Sequence, residues 1–271
     1  MTMYLADVHT HSLCSIDGAY TMAELAGAAV KAGLHELCFT DHVDQAAWRG
    51  YVPPDRFDWS PFVRDFAEAK QRWGDTIQLR LGVEFGDMCV NYPRAERYLA
   101  DMPEMDMVIG SLHATSERFG RIDLYDIDQV ADRFDEVVED YLAEQLDHLE
   151  WGKFDVLSHL TLPLRWAKER CGMTDVSFDS HMDGVVAVLR KVIDKGIALE
   201  CNTNRGDVPL PHGEILALYR SMGGELITLG SDAHCTEHLG LGIREGQELL
   251  KHCGFRYFCT YEKRKPVFHH L

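Results

Sequence analysis

Histidines and carboxylates recur in this chain where a metal ion could be held. His9-x-His11 comes first, then Asp17 in an Ile-Asp-Gly segment, Asp41-His42, Glu84, His113, His159 and the pair Asp232-x-His234. In an extended strand alternate side chains point the same way, so His9 and His11 can grip one ion together, and Asp232 with His234 repeats that spacing. Imidazole nitrogens with carboxylates suit Zn²⁺, Mn²⁺ or Fe²⁺, and a carboxylate such as Glu84 can bridge two ions. Asp7 and Asp41 stand beside these histidines and are expected to orient imidazoles. The chemistry open to such a set is metal-assisted hydrolysis.

Something must bring these distant residues together. Seven β-prone runs precede them: Leu5–His9, Glu36–Thr40, Gln78–Glu84, Met107–Leu112, Phe154–Ser158, Ile197–Asn202 and Glu225–Gly230. Helical patterns separate the runs. Thr21 with Glu24 reads as a capping box, and Gly33 as the end of that helix. Ser60-Pro61 opens a second helix. Residues Asp128 to Leu149 read as one long acidic helix, Val185 to Ile193 as another, and Ile215 to Tyr219 as a third. Strand–helix alternation predicts a parallel sheet, and seven units in 271 residues favour an α/β barrel over a small open sheet. Each run ends in a ligand-type residue, including Asn202 and Arg205 after the sixth. Barrel strands converge at their C-terminal ends, so the ligands would meet in one cup.

Composition narrows the function. The net charge of −17 opposes nucleic acid and anionic membranes. There is no apolar run long enough for a membrane span and no secretory signal pattern, which predicts a cytoplasmic protein. The eight cysteines form no CxxC pair and read as reduced thiols. His35, His148, His181, His212, His238 and His252 are expected to be ordinary structural histidines, and His269 and His270 an ordinary tail or an added remnant. The segment from Asp44 to Ser60 is long for a strand-to-helix connection. Its Trp48, Tyr51, Phe57 and Trp59 either face a substrate or pack the loop onto the barrel.

Taken in order, DVHTHSLCSIDG, FTDH, GVE, GSLH, LSH and SDAH resemble the PHP (polymerase and histidinol phosphatase) family, over residues 7 to 234. The resemblance implies a distorted seven-stranded (β/α)7, TIM-like barrel, forming one domain over residues 1–271. It also implies a site of three divalent ions (Zn²⁺, Mn²⁺ or Fe²⁺). His9, His11, Glu84 and Asp232 would hold the first ion, Glu84, His113 and His159 the second, and Asp17, His42 and His234 the third. Glu84, Asp232 and His234 would be catalytic. LTLPLRW, ECNTNR and YEKRKPVF are similar to the histidinol-phosphate phosphatase branch, which acts in histidine biosynthesis. That branch places phosphate-binding arginines near Arg165 and Arg205. Thr161, where an acidic residue is common, and NTNRGD depart from the branch pattern. The implied reaction is hydrolysis of L-histidinol phosphate to L-histidinol and phosphate by metal-activated hydroxide.

Three other readings stay open. One is a different small phosphomonoester or nucleotide as substrate. Another is an amidohydrolase-type C–N hydrolase, which also opens with HxH but typically carries a lysine after the fourth strand, where this chain has His113. The last is a non-catalytic metal-bound scaffold. Oligomeric state is not legible.

Overall fold

Seven short runs pair edge to edge, in chain order and all parallel, in the computed structural model, which describes residues 3–271. They are β1 (Ala6–Thr10), β2 (Glu36–Phe39), β3 (Gln78–Gly86), β4 (Met107–Ser111), β5 (Val156–Leu157), β6 (Ala198–Asn202) and β7 (Ile227–Gly230). All but the start of β3 are fully buried. Strands covered on both faces need near-continuous apolar runs, which these sequences supply. The sheet closes just past β7. The His11 N–H donates to the Ala233 carbonyl (2.8 Å) and the Asp232 N–H to the His9 carbonyl (2.9 Å). The expected seven-stranded α/β barrel is therefore present.

Among the described residues eight α-helices surround it: α1 (Met22–Ala32), α2 (Ser60–Trp73), α3 (Tyr92–Asp101), α4 (Phe134–Trp151), α5 (Leu162–Cys171), α6 (Met182–Lys195), α7 (Gly213–Ser221) and α8 (Ile243–His252). The capping box opens α1 as expected: Thr21 Oγ1 accepts from the Glu24 N–H and the Glu24 carboxylate accepts from the Thr21 N–H. The helix expected from Asp128 starts later, at Phe134. Residues Leu124–Arg133 form tight 3-10 turns broken by non-helical backbone at Asp126 and Val130. Sequence reading passed over α3, α5 and α8.

A C-terminal hairpin, β8 (Tyr257–Glu262) and β9 (Lys265–His270), is antiparallel and separate from the barrel sheet. It lies against the N-terminal ends of the strands, where Arg264 pairs with Asp155 and Thr260 meets Glu36. His269 stacks on Tyr4 with ring centroids 4.1 Å apart and sits 2.9 Å from Thr260 Oγ1. It is part of the closing hairpin, not a loose tail.

One glycine bears directly on the site. A Cβ at Gly230, the end of β7, would lie 2.3 Å from His9 Cβ and 2.7 Å from Glu200 Oε1. Only glycine lets β7 come close enough to β1 for the sheet to close beneath His9. Among the described residues no helix is long and apolar enough to cross a membrane. All eight cysteines are free thiols.

Candidate metal centre

At the C-terminal rim the strand ends and the loops after them bring five imidazoles around one carboxylate, with a sixth beside them. Glu84, on β3, is wholly buried. Its Oε2 lies 2.9 Å from His42 Nδ1, 3.3 Å from His9 Nε2 and 3.5 Å from His11 Nε2. Its Oε1 lies 3.0 Å from His159 Nε2 and 3.3 Å from His113 Nε2. Asp232 Oδ1 is 3.3 Å from His11 Nε2 and 3.8 Å from His9 Nε2. His234 Nε2 is 3.3 Å from Asp17 Oδ2 and 3.3 Å from His42 Nε2, while Asp17 Oδ1 is 3.8 Å from His42 Nε2. The nine residues singled out by sequence are thus gathered in one cluster.

The cluster fits metal ions better than it fits itself. His9 Nε2, His11 Nε2, His42 Nδ1 and Glu84 Oε2 are all buried, and none makes a hydrogen bond of acceptable geometry. Leaving such groups buried and unpaired costs about 1–3 kcal/mol each. Within three triads (His9, His11, Glu84; His11, His42, His234; His42, Glu84, His113) the ligand atoms lie within 4.8 Å of one another. Nitrogen and oxygen donors converging from opposite sides are a divalent-cation donor set.

The electrostatics follow from this crowding. Burial disfavours charge on His9 and His113, but Glu200 and Glu84 around the first, and Glu84 and Asp44 around the second, hold both well above the usual imidazole range. His42 opposes burial in the same way through Glu84 and Asp44, and is pushed up to about 10. Despite burial, Glu84 is held well below the usual carboxylate range by His9, His113 and His42. His11 goes the other way, driven down by burial and by neighbouring His234 and His42. The histidines thus compete for protons that an ion must displace.

Supporting contacts come partly from residues the sequence did not flag. Glu200, buried on β6, accepts from His9 Nδ1 (2.6 Å) and from the His159 N–H (2.8 Å). That orients the His9 ring with its Nε2 toward Glu84, and an ion bound at Nε2 would leave Nδ1 to donate to Glu200. A charged residue inside a strand buried on both faces was the available signal. Asp44 Oδ1 lies 3.1 Å from His113 Nδ1, and Asp87 accepts from the His113 N–H (2.9 Å).

Three expectations need correction. Asp7 orients no imidazole: it accepts from the Ser231 N–H (2.9 Å) and the Gly240 N–H (2.8 Å), tying β1 to the loops after β7. Asp41 acts at one remove, accepting from Ser12 and from Ser15 Oγ (2.7 Å), and Ser15 Oγ in turn lies 3.2 Å from His11 Nδ1. Asp232 and His234 reach the cluster without the strand alternation of His9 and His11. Strand β7 ends at Gly230, and Asp232 has φ 59°, a left-handed conformation that aspartate tolerates better than most residues.

The two arginines differ. Arg165 is buried, with Nη1 donating to Asp232 Oδ2 (2.6 Å), Nη2 to Asn202 Oδ1 (3.1 Å) and Nε to Asn204 Oδ1 (2.7 Å). Arg205 has φ 56° and pairs with Glu169 (2.8 Å) at the rim. Both line a cavity of about 420 Å³ over the cluster, as do Trp48, Tyr125 and Trp166. The 44–60 loop divides: Trp48 faces the cavity, while Trp59 is buried among Phe57, Phe62 and Phe85. Of the histidines expected to be structural, His148 is buried and stacked on Phe154 (4.6 Å), whereas His238 lines the cavity.

The chain is similar to known proteins over nearly its whole length. A protein named histidinol-phosphatase from Lactococcus lactis subsp. lactis (strain IL1403) is 26% identical over 269 residues, covering 96% of this chain and 95% of the relative. The crystal structure of histidinol phosphate phosphatase from Lactococcus lactis subsp. lactis Il1403, complexed with zinc, L-histidinol and phosphate, superposes with a TM-score of 0.82 at 24% identity, over 98% of this chain and 100% of that one. A Listeria monocytogenes structure shares the fold with a TM-score of 0.77 at 17% identity, over 89% of this chain and 99% of that one. The PHP domain profile matches residues 7–204. With the profile spanning most of the chain, this protein belongs to the PHP domain family.

Proposed function

We propose that this chain is a metal-dependent phosphomonoesterase, one catalytic unit over residues 1–271, that hydrolyses L-histidinol phosphate to L-histidinol and phosphate. The observation that carries the reading is the convergence of five histidine nitrogens on the two oxygens of Glu84, those at Oε2 without hydrogen-bond partners, beneath an open cavity. Full-length similarity to the Lactococcus lactis histidinol-phosphatase supports the substrate.

Three ions are assigned, held by His9, His11, Glu84 and Asp232; by Glu84, His113 and His159; and by Asp17, His42 and His234. Zn²⁺ is the first candidate, with Mn²⁺ and Fe²⁺ compatible with the same donors. Bound ions supply Lewis acidity that lowers the pKa of water toward 7 from about 15.7 and neutralises phosphate oxygens. The protein's own part is positional. Glu84 and Asp232 fix the spacing of the set, and His234 closes it on the cavity side. Arg165 is held rigid by three acceptors and keeps further N–H donors for a phosphate oxygen. Arg205 at the rim provides a second guanidinium once it leaves Glu169. The eight free thiols suit a reducing compartment, and the cytoplasm is the one proposed.

Steady-state hydrolysis of a phosphate-ester panel by the metal-loaded protein tests the proposal. The kcat/KM for L-histidinol phosphate should exceed that for an aryl phosphate by at least about 100-fold. Equal turnover of both would reject the substrate assignment, and no phosphate release from any ester would reject the enzyme class.

A further inference from the structure

The two guanidiniums at the cavity are held in different ways. Arg165, on α5, is fixed at its head by acceptors that are themselves buried, Asn202, Asn204 and Asp232. Arg205 is fixed at its backbone. Asn204, Arg205 and Gly206 have φ of 51°, 56° and 86°, three left-handed residues in a row. Arginine rarely adopts that conformation, and here its neighbours impose it. The Asn204 N–H donates to Asn202 Oδ1 (2.9 Å), its Nδ2 to the Val208 carbonyl (3.0 Å), and the Thr203 N–H to the Gly230 carbonyl (2.8 Å). From this rigid base the Arg205 side chain lines the cavity.

The head of Arg205 makes a looser contact. Its Nη2 donates to Glu169 Oε1 (2.8 Å), one bond between side chains that are 27% and 43% exposed. Glu169 follows Arg165 by four residues on α5, so the two share a helix face one turn apart, about 6 Å along the axis. Arg165 lines the cavity and Glu169 does not. The pairing therefore draws the Arg205 head along α5, away from the guanidinium with which it would share a phosphate. Docking the loop does not depend on this pair. Beside it Lys168 pairs with Asp207 (2.5 Å), a second bridge from α5 to the same loop with the charges reversed.

We propose that Glu169 is a positioning residue that sets the phosphate affinity of the site by competing with bound phosphate for Arg205. It holds the guanidinium while the site is empty and takes it back as inorganic phosphate leaves. The inference rests on the phosphate-binding role proposed above for Arg205. Glu169 acts only through that arginine. Each phosphate that engages Arg205 must first break an exposed ion pair, so ester and product are both held less tightly than a free Arg205 would hold them. Weaker product binding eases release.

Calorimetric binding of inorganic phosphate to the metal-loaded protein tests this, with KM for L-histidinol phosphate measured alongside. Glu169→Gln should bind phosphate about 2- to 5-fold more tightly, the factor an exposed ion pair can supply, and its KM should fall alike. Such a gain does not arise from a damaged fold. Lys168→Gln, which removes the neighbouring bridge, should leave both quantities unchanged. In an Arg205→Gln background Glu169→Gln should have no further effect, as a double-mutant cycle requires. Glu169→Ala repeats the measurement without the neutral hydrogen bond that glutamine can keep. Unchanged or weaker phosphate binding in both Glu169 variants would overturn the role of Glu169. So would an equal gain in Lys168→Gln or in the Arg205→Gln background. Failure of the underlying reading looks different: Arg205→Gln alone would bind phosphate as wild type does, and the arginine assignment would fall together with the inference built on it.

Discussion

The two ends of this barrel bury the same kinds of residue and treat them in opposite ways. At the N-terminal end Asp155 accepts from Arg264 Nε (2.9 Å) and from the Val108 N–H (2.8 Å). Asp106 accepts from the Leu81 N–H (3.1 Å) and the Lys263 N–H (3.1 Å), and Glu36 is met by Tyr4, Arg80 and Thr260. Every acid there has protein donors. At the C-terminal end Glu84 and Asp232 face His9 Nε2 and His11 Nε2, which have no hydrogen-bond partner. Similar composition therefore yields a closed plug at one end and a ligand cage at the other. The difference is whether the protein supplies the counter-charge or leaves it to a bound ion.

The sharpest way to break the comparison is Glu84→Gln. One carboxylate lies within 3.5 Å of five imidazoles, and the substitution removes its charge at constant size. Turnover should fall by about 10³ or more, with metal content reduced in elemental analysis. Retained metal and activity would show that the cage does not depend on Glu84. Glu200→Gln is the next step down. It keeps a hydrogen-bonding partner for His9 but removes the negative charge, so metal affinity measured with competing chelators should weaken about 10- to 100-fold. Unchanged affinity would make Glu200 a packing residue only.

Removing the ions sharpens the contrast further. In metal-free protein His42 titrates near 10, above its unfolded value of about 6.5. Its protonation therefore stabilises the fold fully below pH 6.5, and that contribution is lost as pH rises toward 10. The melting temperature of metal-free protein should fall across this window, and ion binding at pH 7 should release protons, seen as buffer-dependent binding heats. A flat or rising melting temperature with no proton release would contradict the cage description. The smallest expected effect belongs to the plug. Asp155→Ala removes the carboxylate partner of Arg264 and leaves the Val108 N–H without its acceptor, and should cost about 1–3 kcal/mol, a few degrees of melting temperature, with kcat unaltered. A fall in kcat comparable to that of Glu84→Gln would mean the two ends are not independent.

What was legible in the sequence tracks this same division. The strands and the cage ligands stood out because buried parallel strands are apolar throughout and because histidine at a strand end is conspicuous, as at His9, His113 and His159. The supporting residues were harder to see. Glu200 lies inside the ALECN strand with no spacing motif, and Asp44 lies in a loop where a carboxylate is ordinary. Asp7 and Asp41 were placed correctly in space but assigned the wrong partners, because sequence proximity to a histidine does not say which donor is nearer in the fold. The plug was missed altogether. Strand β9 (Lys265–His270) has little buried surface, so it carries weak apolar periodicity, and the partners of the turn before it, Asp106 for Lys263 and Asp155 for Arg264, are more than a hundred residues away in sequence. Helix α8 escaped for a related reason. Gly246 interrupts its pattern, yet a Cβ there would lie 2.7 Å from Leu229 Cδ2, so the gap serves close packing.

The central claim is that the rim cluster exists to hold ions that make water attack a phosphomonoester. The most direct test measures metal content and phosphate release from L-histidinol phosphate on one preparation, before chelation, after it, and after adding back Zn²⁺ or Mn²⁺. The account predicts several ions per chain, loss of turnover on chelation and its recovery on re-addition. A chain that carries one ion or none, and gains nothing from added metal, would contradict it.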